Sequence, residues 1–247
     1  MMIEISRRLQ GIAGLVTFCN RVADIGSDHG FLPVYLIQKG ISPSCIAGEV
    51  NQGPWESAYK QVQRVGLTES IEVRLGDGLA VIEPDEVDTI CIAGMGGSLI
   101  TKILTDGKEK LVGISELVLQ PNVGEQVVRK WLQKENWELV DEQIIEEDGI
   151  IYEILHAIPG DGKKPYEGKE RTEEELMEIG PFLWEQASPL LVKKWKSELL
   201  KQQHILRQLE KSNSPDIESK KQGFSEKISW IEEVLGCLQA RNESSNL

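Results

Sequence analysis

Five short apolar runs constrain this chain more than any other feature. Each is rich in valine, isoleucine or leucine and closes on Gly, Asp or Asn: Arg21–Asp28, Cys45–Asn51, Ile71–Gly78, Val87–Gly94 and Glu116–Asn122. Between them lie stretches with helical spacing, at Leu32–Lys39, Pro54–Val65, Ser98–Leu104 and Glu125–Glu135. A strand that is apolar along its whole length must be covered on both faces, and helices alternating with parallel strands supply that cover. An opening helix precedes the series, with Ile5, Leu9, Ile12 and Val16 on one face. After Trp137 the rhythm changes. Glu138–Glu146 and Ile150–Ile158 are strand-like runs separated by Glu147-Asp148-Gly149, a hairpin signal.

Asp161–Lys169 is polar and rich in Gly and Lys, so a boundary is expected near Gly160, separating domains 1–160 and 161–247. Beyond it, Val192, Trp195, Leu199, Gln202, Leu206 and Leu209 recur at three- and four-residue steps, as do Ile217, Lys221, Phe224, Ile228, Ile231, Leu235 and Leu238. Ser212–Asp216, containing Pro215, parts the two runs, and the pattern predicts an antiparallel helical hairpin with a coiled-coil-like seam. The formal charge of −13 argues against a generic nucleic-acid coat, but it is unevenly spread. Residues 1–160 carry 13 Lys+Arg against 24 Asp+Glu, and residues 161–247 carry 14 against 16. The second half is the better place for a basic face, with Lys193, Lys194, Lys196 and Lys201 close together; alternatively these lysines only solvate a helix. No apolar run is long enough to cross a bilayer, and Met1–Thr17 has no basic head followed by an apolar stretch. Cys19, Cys45, Cys91 and Cys237 lack metal-ligand or disulfide spacing, which favours reduced thiols and a cytoplasmic protein.

The chemistry gathers where the runs end. Asp24-Ile25-Gly26-Ser27-Asp28-His29-Gly30 carries a strand into a turn that opens a helix, and Gly26 and Gly30 let a ligand approach the backbone. The nicotinamide fingerprint needs a further glycine that is missing here. Asp24 and Asp28 suit a cationic sulfonium better than a pyrophosphate, so S-adenosyl-L-methionine (AdoMet) is the expected cofactor. Glu49, with Asn51 just after it, ends the second run where a carboxylate accepts from ribose hydroxyls. Asp77-Gly78 ends the third, placed for the adenine amino group. His29 either contacts the methionine end of the cofactor or caps the next helix, and Arg8 is placed to pair with the cofactor's carboxylate. His156 and His204 offer no ligand spacing, so no metal is expected. The expected fold is α/β: a class I methyltransferase Rossmann-like parallel sheet with an antiparallel strand hairpin, followed by the helical hairpin.

These residues closely resemble the TrmK-type bacterial tRNA (adenine-N1)-methyltransferases. The resemblance rests on VADIGSDHGFLP (Val22–Pro33), GEVNQGP (Gly48–Pro54), VRLGDG (Val73–Gly78), IAGMGG (Ile92–Gly97), LQPNVGE (Leu119–Glu125) and EEDGIIYE (Glu146–Glu153). Phe31 stands where the family pattern has Tyr. The resemblance implies methylation of N1 of adenine 22 in the D-arm of tRNA. A monomer or weak dimer is the expected assembly. The fourth run ends in Ala93-Gly94-Met95-Gly96-Gly97 rather than the tetrad of enzymes that methylate exocyclic amines. Its first three residues are assigned to the cofactor site, and its small side chains leave room for a base. Asn122 is expected either to hydrogen-bond a flipped base or to cap the helix beyond Gly124, and Asp28 to act on the base electrostatically or only to order the turn. Trp55 either stacks on a base or packs against the sheet. The competing readings are a methyltransferase for a small molecule or protein, and a non-catalytic AdoMet-binding module.

Overall fold

The computed structural model describes residues 2–209 and 217–244. Helix α1 (Arg7–Leu15) is capped by the Ser6 hydroxyl, which accepts from Leu9 N–H. Then come β1 (Val22–Ile25), α2 (Phe31–Gln38), β2 (Cys45–Glu49), α3 (Gln52–Val65), β3 (Ile71–Leu75), β4 (Thr89–Gly96), α4 (Gly97–Asp106), β5 (Glu116–Val123) and α5 (Glu125–Lys134). The hairpin strands are β6 (Trp137–Glu147) and β7 (Ile150–Pro159). The first three strands are shorter than their apolar runs, because the last residues of each run form the turns at the strand ends.

All seven strands form one sheet in the order β3-β2-β1-β4-β5-β7-β6, parallel through β5 and antiparallel where β7 enters between β5 and β6. Both faces are covered, as continuous apolar strands require. Ile90 and Ile92 of β4 and Leu117 and Leu119 of β5 pack into a core with Ile100, Leu104, Val128 and Leu132 from α4 and α5. The intervening Cys91 and Val118 face a second core with Ile12, Leu32, Leu36 and Val62 from α1, α2 and α3. The chain runs from β1 outward to β3, then returns to place β4 on the other side of β1. That reversal leaves a crevice beyond the carboxyl ends of β1 and β4, where ligands bind in such sheets.

The boundary expected near Gly160 lies elsewhere. The compact units are Met1–Phe182 and Leu183–Leu247. Residues 161–182 are no free linker, since Pro165 and Tyr166 are buried and α6 (Glu173–Ile179) has a complete capping box between Thr172 and Glu175. A fully buried Arg129 on α5 is what holds this segment. Its guanidinium donates to Glu142 Oε1 at 2.7 Å, to Glu153 Oε2 at 2.5 Å and to the Met177 carbonyl at 3.1 Å. Glu142 in turn accepts from Phe182 N–H at 3.0 Å. Polar, Gly-rich composition concealed a segment fixed by a distant arginine.

Helix α7 (Pro181–Gln186) spans the boundary and leads into α8 (Pro189–Leu209), and in the second unit α9 (Ile217–Ser244) packs along α8. Trp195 meets Trp230 edge-on at 5.2 Å, and Trp184 lies under the Arg241 guanidinium at 4.5 Å. Earlier residues thus meet later ones, the register of an antiparallel hairpin. The separator Ser212–Asp216 lies outside the described residues. Among those residues, no helix is long and apolar enough to cross a membrane, and no three His, Cys, Asp or Glu side chains gather as metal ligands do.

Candidate active site

Three carboxylates expected at successive run ends come out on three adjacent strands. Asp24 lies in β1, Glu49 ends β2, and Asp77 follows β3 at the start of a short 3-10 turn, all at the sheet edge beside the crevice. Asp24 is buried, and burial pushes its carboxyl up to about 6, with the Ser27 hydroxyl and the Arg8 cation only partly offsetting it and Glu49 adding to it. Glu49 is also raised, first by burial and then by the charge of Asp28, while the N–H groups of Val50 and Asn51 pull the other way. Asn51 and Asp77 are exposed, and neither side chain caps the helix that follows it. Their polar atoms therefore face outward beside the buried pair.

The turn after β1 is tight. Gly26 has φ +77°, a left-handed conformation that strains any residue with a side chain, and the flexible end of Met95 lies where its Cβ would be. Gly30 is left-handed and caps α2 without a side-chain bond. His29, between them, is left-handed too at φ 59°, uncommon for a residue with a side chain. Its ring lies 5.5 Å from that of Phe31 and its Nε2 is 3.4 Å from Asp28 Oδ1. Asp28 and His29 stand well out into solvent, with side chains 75% and 52% exposed. An arrangement this open suits contact with a large substrate.

Across the crevice, Arg8 Nη1 donates to Gln120 Oε1 at 2.6 Å, and its guanidinium carbon lies 5.5 Å from the centre of the Tyr152 ring. Gly94 is exposed and left-handed at φ +76°, while Ala93 and Met95 are half-buried beside it. Asn122 does not cap the helix beyond Gly124. Helix α5 is capped by the Gly124 backbone, and Asn122 Nδ2 instead donates to the Gly94 carbonyl at 2.7 Å. Trp55 packs against the sheet: its indole N–H donates to the Val73 carbonyl at 3.1 Å and its ring stacks on Tyr59 at 5.4 Å. Sequence reasoning missed Gln120, although a lone amide directly after the apolar run Leu117–Leu119 was a visible signal.

Of the lysines on α8, Lys193, Lys196 and Lys201 are exposed and Lys194 is half-buried; Lys201 lies 3.5 Å from Glu198.

Acidic groups and close backbone approach thus meet at the carboxyl ends of β1, β2 and β3, where the charge suits a cationic ligand. A family model described as TrmK, tRNA (adenine(22)-N(1))-methyltransferase, matches residues 22–233. The chain belongs to the TrmK family. It is 43% identical over 236 residues to the Bacillus subtilis tRNA (adenine(22)-N(1))-methyltransferase, covering 94% of this chain and 98% of that protein. The crystal structure of B. subtilis TrmK superposes with a TM-score of 0.87 at 41% identity, over 94% of this chain and 99% of that one. Streptococcus pneumoniae Sp1610, solved in complex with S-adenosyl-L-methionine, gives 0.83 at 40% identity, over 94% of this chain and all of that one.

Proposed function

We propose that this chain methylates N1 of adenine 22 in tRNA, with AdoMet as the methyl donor. The observation that carries the reading is the ordered row of Asp24, Glu49 and Asp77 on adjacent strands beside the crevice. That row fits AdoMet. Glu49 accepts from the ribose hydroxyls, Asp77 takes the adenine amino group, and Asn51 and Gly78 flank them. Asp24, Gly26, His29 and Gly30 line the methionine end together with Ala93, Gly94 and Met95, and Arg8 is placed for its carboxylate. The buried Asp24 carboxyl, raised because its charge is poorly solvated, gains most from a cationic ligand.

When bound, the cofactor supplies a sulfonium methyl group ready for displacement. Adenine N1 has an in-plane lone pair and loses no proton before attacking, so the protein needs no general base. Its work is to orient the base and to favour the positive charge that appears on it. Asp28, exposed at the mouth, is the leading candidate for that electrostatic role. N1 lies on the Watson–Crick edge, so the base must leave its pairing before it enters. Asn122 is bonded to Gly94 and retains one amide hydrogen for that base. The near-neutral second unit, with exposed Lys193, Lys196 and Lys201, holds the tRNA while the acidic first unit holds the cofactor. A tRNA substrate fits action in the cytoplasm, and the expected assembly is a monomer or weak dimer.

Nucleoside mass spectrometry after incubation with unmodified tRNA and AdoMet tests the reading. We expect 1-methyladenosine, lost when adenine 22 is replaced. Methylation elsewhere, or of a protein or small molecule alone, would overturn it.

A further inference from the structure

We infer that Gln120 is a positioning residue for methyl transfer, locking a paired irregularity of β4 and β5 in the form that meets the acceptor base. The inference rests on the tRNA methyltransferase reading above. The β4–β5 register runs Ala93 opposite Gln120, then Met95 opposite Pro121, then Gly96 opposite Val123. Gly94 on one strand and Asn122 on the other are skipped. An unpaired residue bends its strand and re-aims the side chains beyond it, and its peptide groups need other partners.

Gln120 and Asn122 supply those partners. The Gly94 N–H donates to Gln120 Oε1 at 3.1 Å, and the Gly94 carbonyl accepts from Asn122 Nδ2 at 2.7 Å. Gln120 Nε2 donates to the Pro121 carbonyl at 2.8 Å and to Asn122 Oδ1 at 3.2 Å. Its Oε1 accepts a second bond, from Arg8 Nη1 at 2.6 Å. One fully buried amide therefore has both donors and both acceptor positions filled, joining α1, β4 and β5 at the crevice. A buried polar group is costly unless satisfied, and a fully satisfied network rigidifies its surroundings. The parts made rigid are the left-handed Gly94 turn, the side chain of Asn122 and the guanidinium of Arg8. Gln120 reaches the substrate only through these.

Gln120→Leu removes all four bonds and endangers the fold, so Gln120→Glu is the decisive variant. It keeps acceptors for Arg8 and Gly94 but opposes two acceptors, the Pro121 carbonyl and Asn122 Oδ1, with a third. Steady-state methylation of tRNA should show kcat falling about 100-fold, the effect of a roughly 1 Å misplacement. The melting temperature should fall, because a buried carboxylate now opposes two acceptors. KM for AdoMet should rise modestly as Arg8 is drawn to the new charge, so kcat is read on folded protein at saturating AdoMet. Asn122→Ala added to Gln120→Glu should lower kcat no further, because both act through one turn. A folded Gln120→Glu variant with parental kcat overturns the inference, and so do penalties that multiply. If the parent itself leaves tRNA unmethylated, the functional reading fails and the inference falls with it; an active parent with an unimpaired variant removes the inference alone.

Discussion

The two ends of the central sheet treat a buried carboxylate in opposite ways. At the amino ends of β4 and β5, Glu116 is buried and amply served. It accepts from the Thr17 N–H at 2.9 Å, the Thr17 hydroxyl at 2.7 Å, the Asn20 amide and the Thr89 hydroxyl, and His156 Nε2 lies 3.0 Å away. Burial alone would raise its carboxyl, but His156, Thr89 and Thr17 outweigh burial and hold it down to about 2. At the other end burial wins, and Asp24 rises to about 6. A carboxylate supplied with donors by its own protein is part of the framework; one left short of them is available to a ligand.

The largest effect that would separate the two ends comes from Glu116→Ala. It removes the acceptor of the buried Thr89 hydroxyl and of the more exposed Thr17 and Asn20 donors, and should lower unfolding free energy by about 3 kcal/mol, the upper end for hydrogen bonds to a charged group. Urea titration measures the loss, and calorimetry should find AdoMet affinity unchanged in the folded variant. Reduced affinity there would mean that the ends are not independent. The direction of the shift sets the sign of the pH effect: Glu116 lies below its ordinary 4.5, so its stabilisation is present above that value and lost as pH falls toward 2.

Glu49→Ala should act in the reverse sense, weakening AdoMet binding by roughly 1.5–3 kcal/mol, as for hydrogen bonds to a charged group. Equal affinities in calorimetry would remove Glu49 from the site. The smallest change sharpens the contrast most. Because Asp24 is raised above its ordinary value, its contribution to stability is present at low pH and lost as pH rises through about 6. Asp24→Asn should therefore stabilise the ligand-free protein at pH 8 by about 1–2 kcal/mol, less than the ~3 a two-unit shift implies, because the amide is still desolvated. The gain should vanish below pH 4, and AdoMet should bind more weakly. Denaturant titrations at both pH values check this, and a variant less stable at pH 8 would reverse the assignment.

How much the sequence disclosed tracks how local each cause is. The strands, the hairpin and the helices of 1–160 arise from side chains a few residues apart, and Asp24, Glu49 and Asp77 stand out because strand ends are local events. The distant ties were not legible. Arg129 reads as a polar residue on an amphipathic helix, and nothing nearby tells that Glu142, Glu153 and the Met177 carbonyl converge on it. Nothing local to Asn122 tells that it bonds the Gly94 carbonyl, 28 residues away in the sequence. The skipped register of β4 against β5 exists only once both strands are paired.

The arginine buried between α5, the hairpin and the α6 segment also governs modularity. A chain ended at Gly160 would keep Arg129, Glu142 and Glu153 while discarding the Met177 carbonyl and the Phe182 N–H that complete their bonding. Any helical appendage exchanged onto this catalytic core, by recombination or at the bench, has to be joined after Phe182. The seam where this protein comes apart is marked by a charge deep in its interior, well away from its most polar stretch of chain.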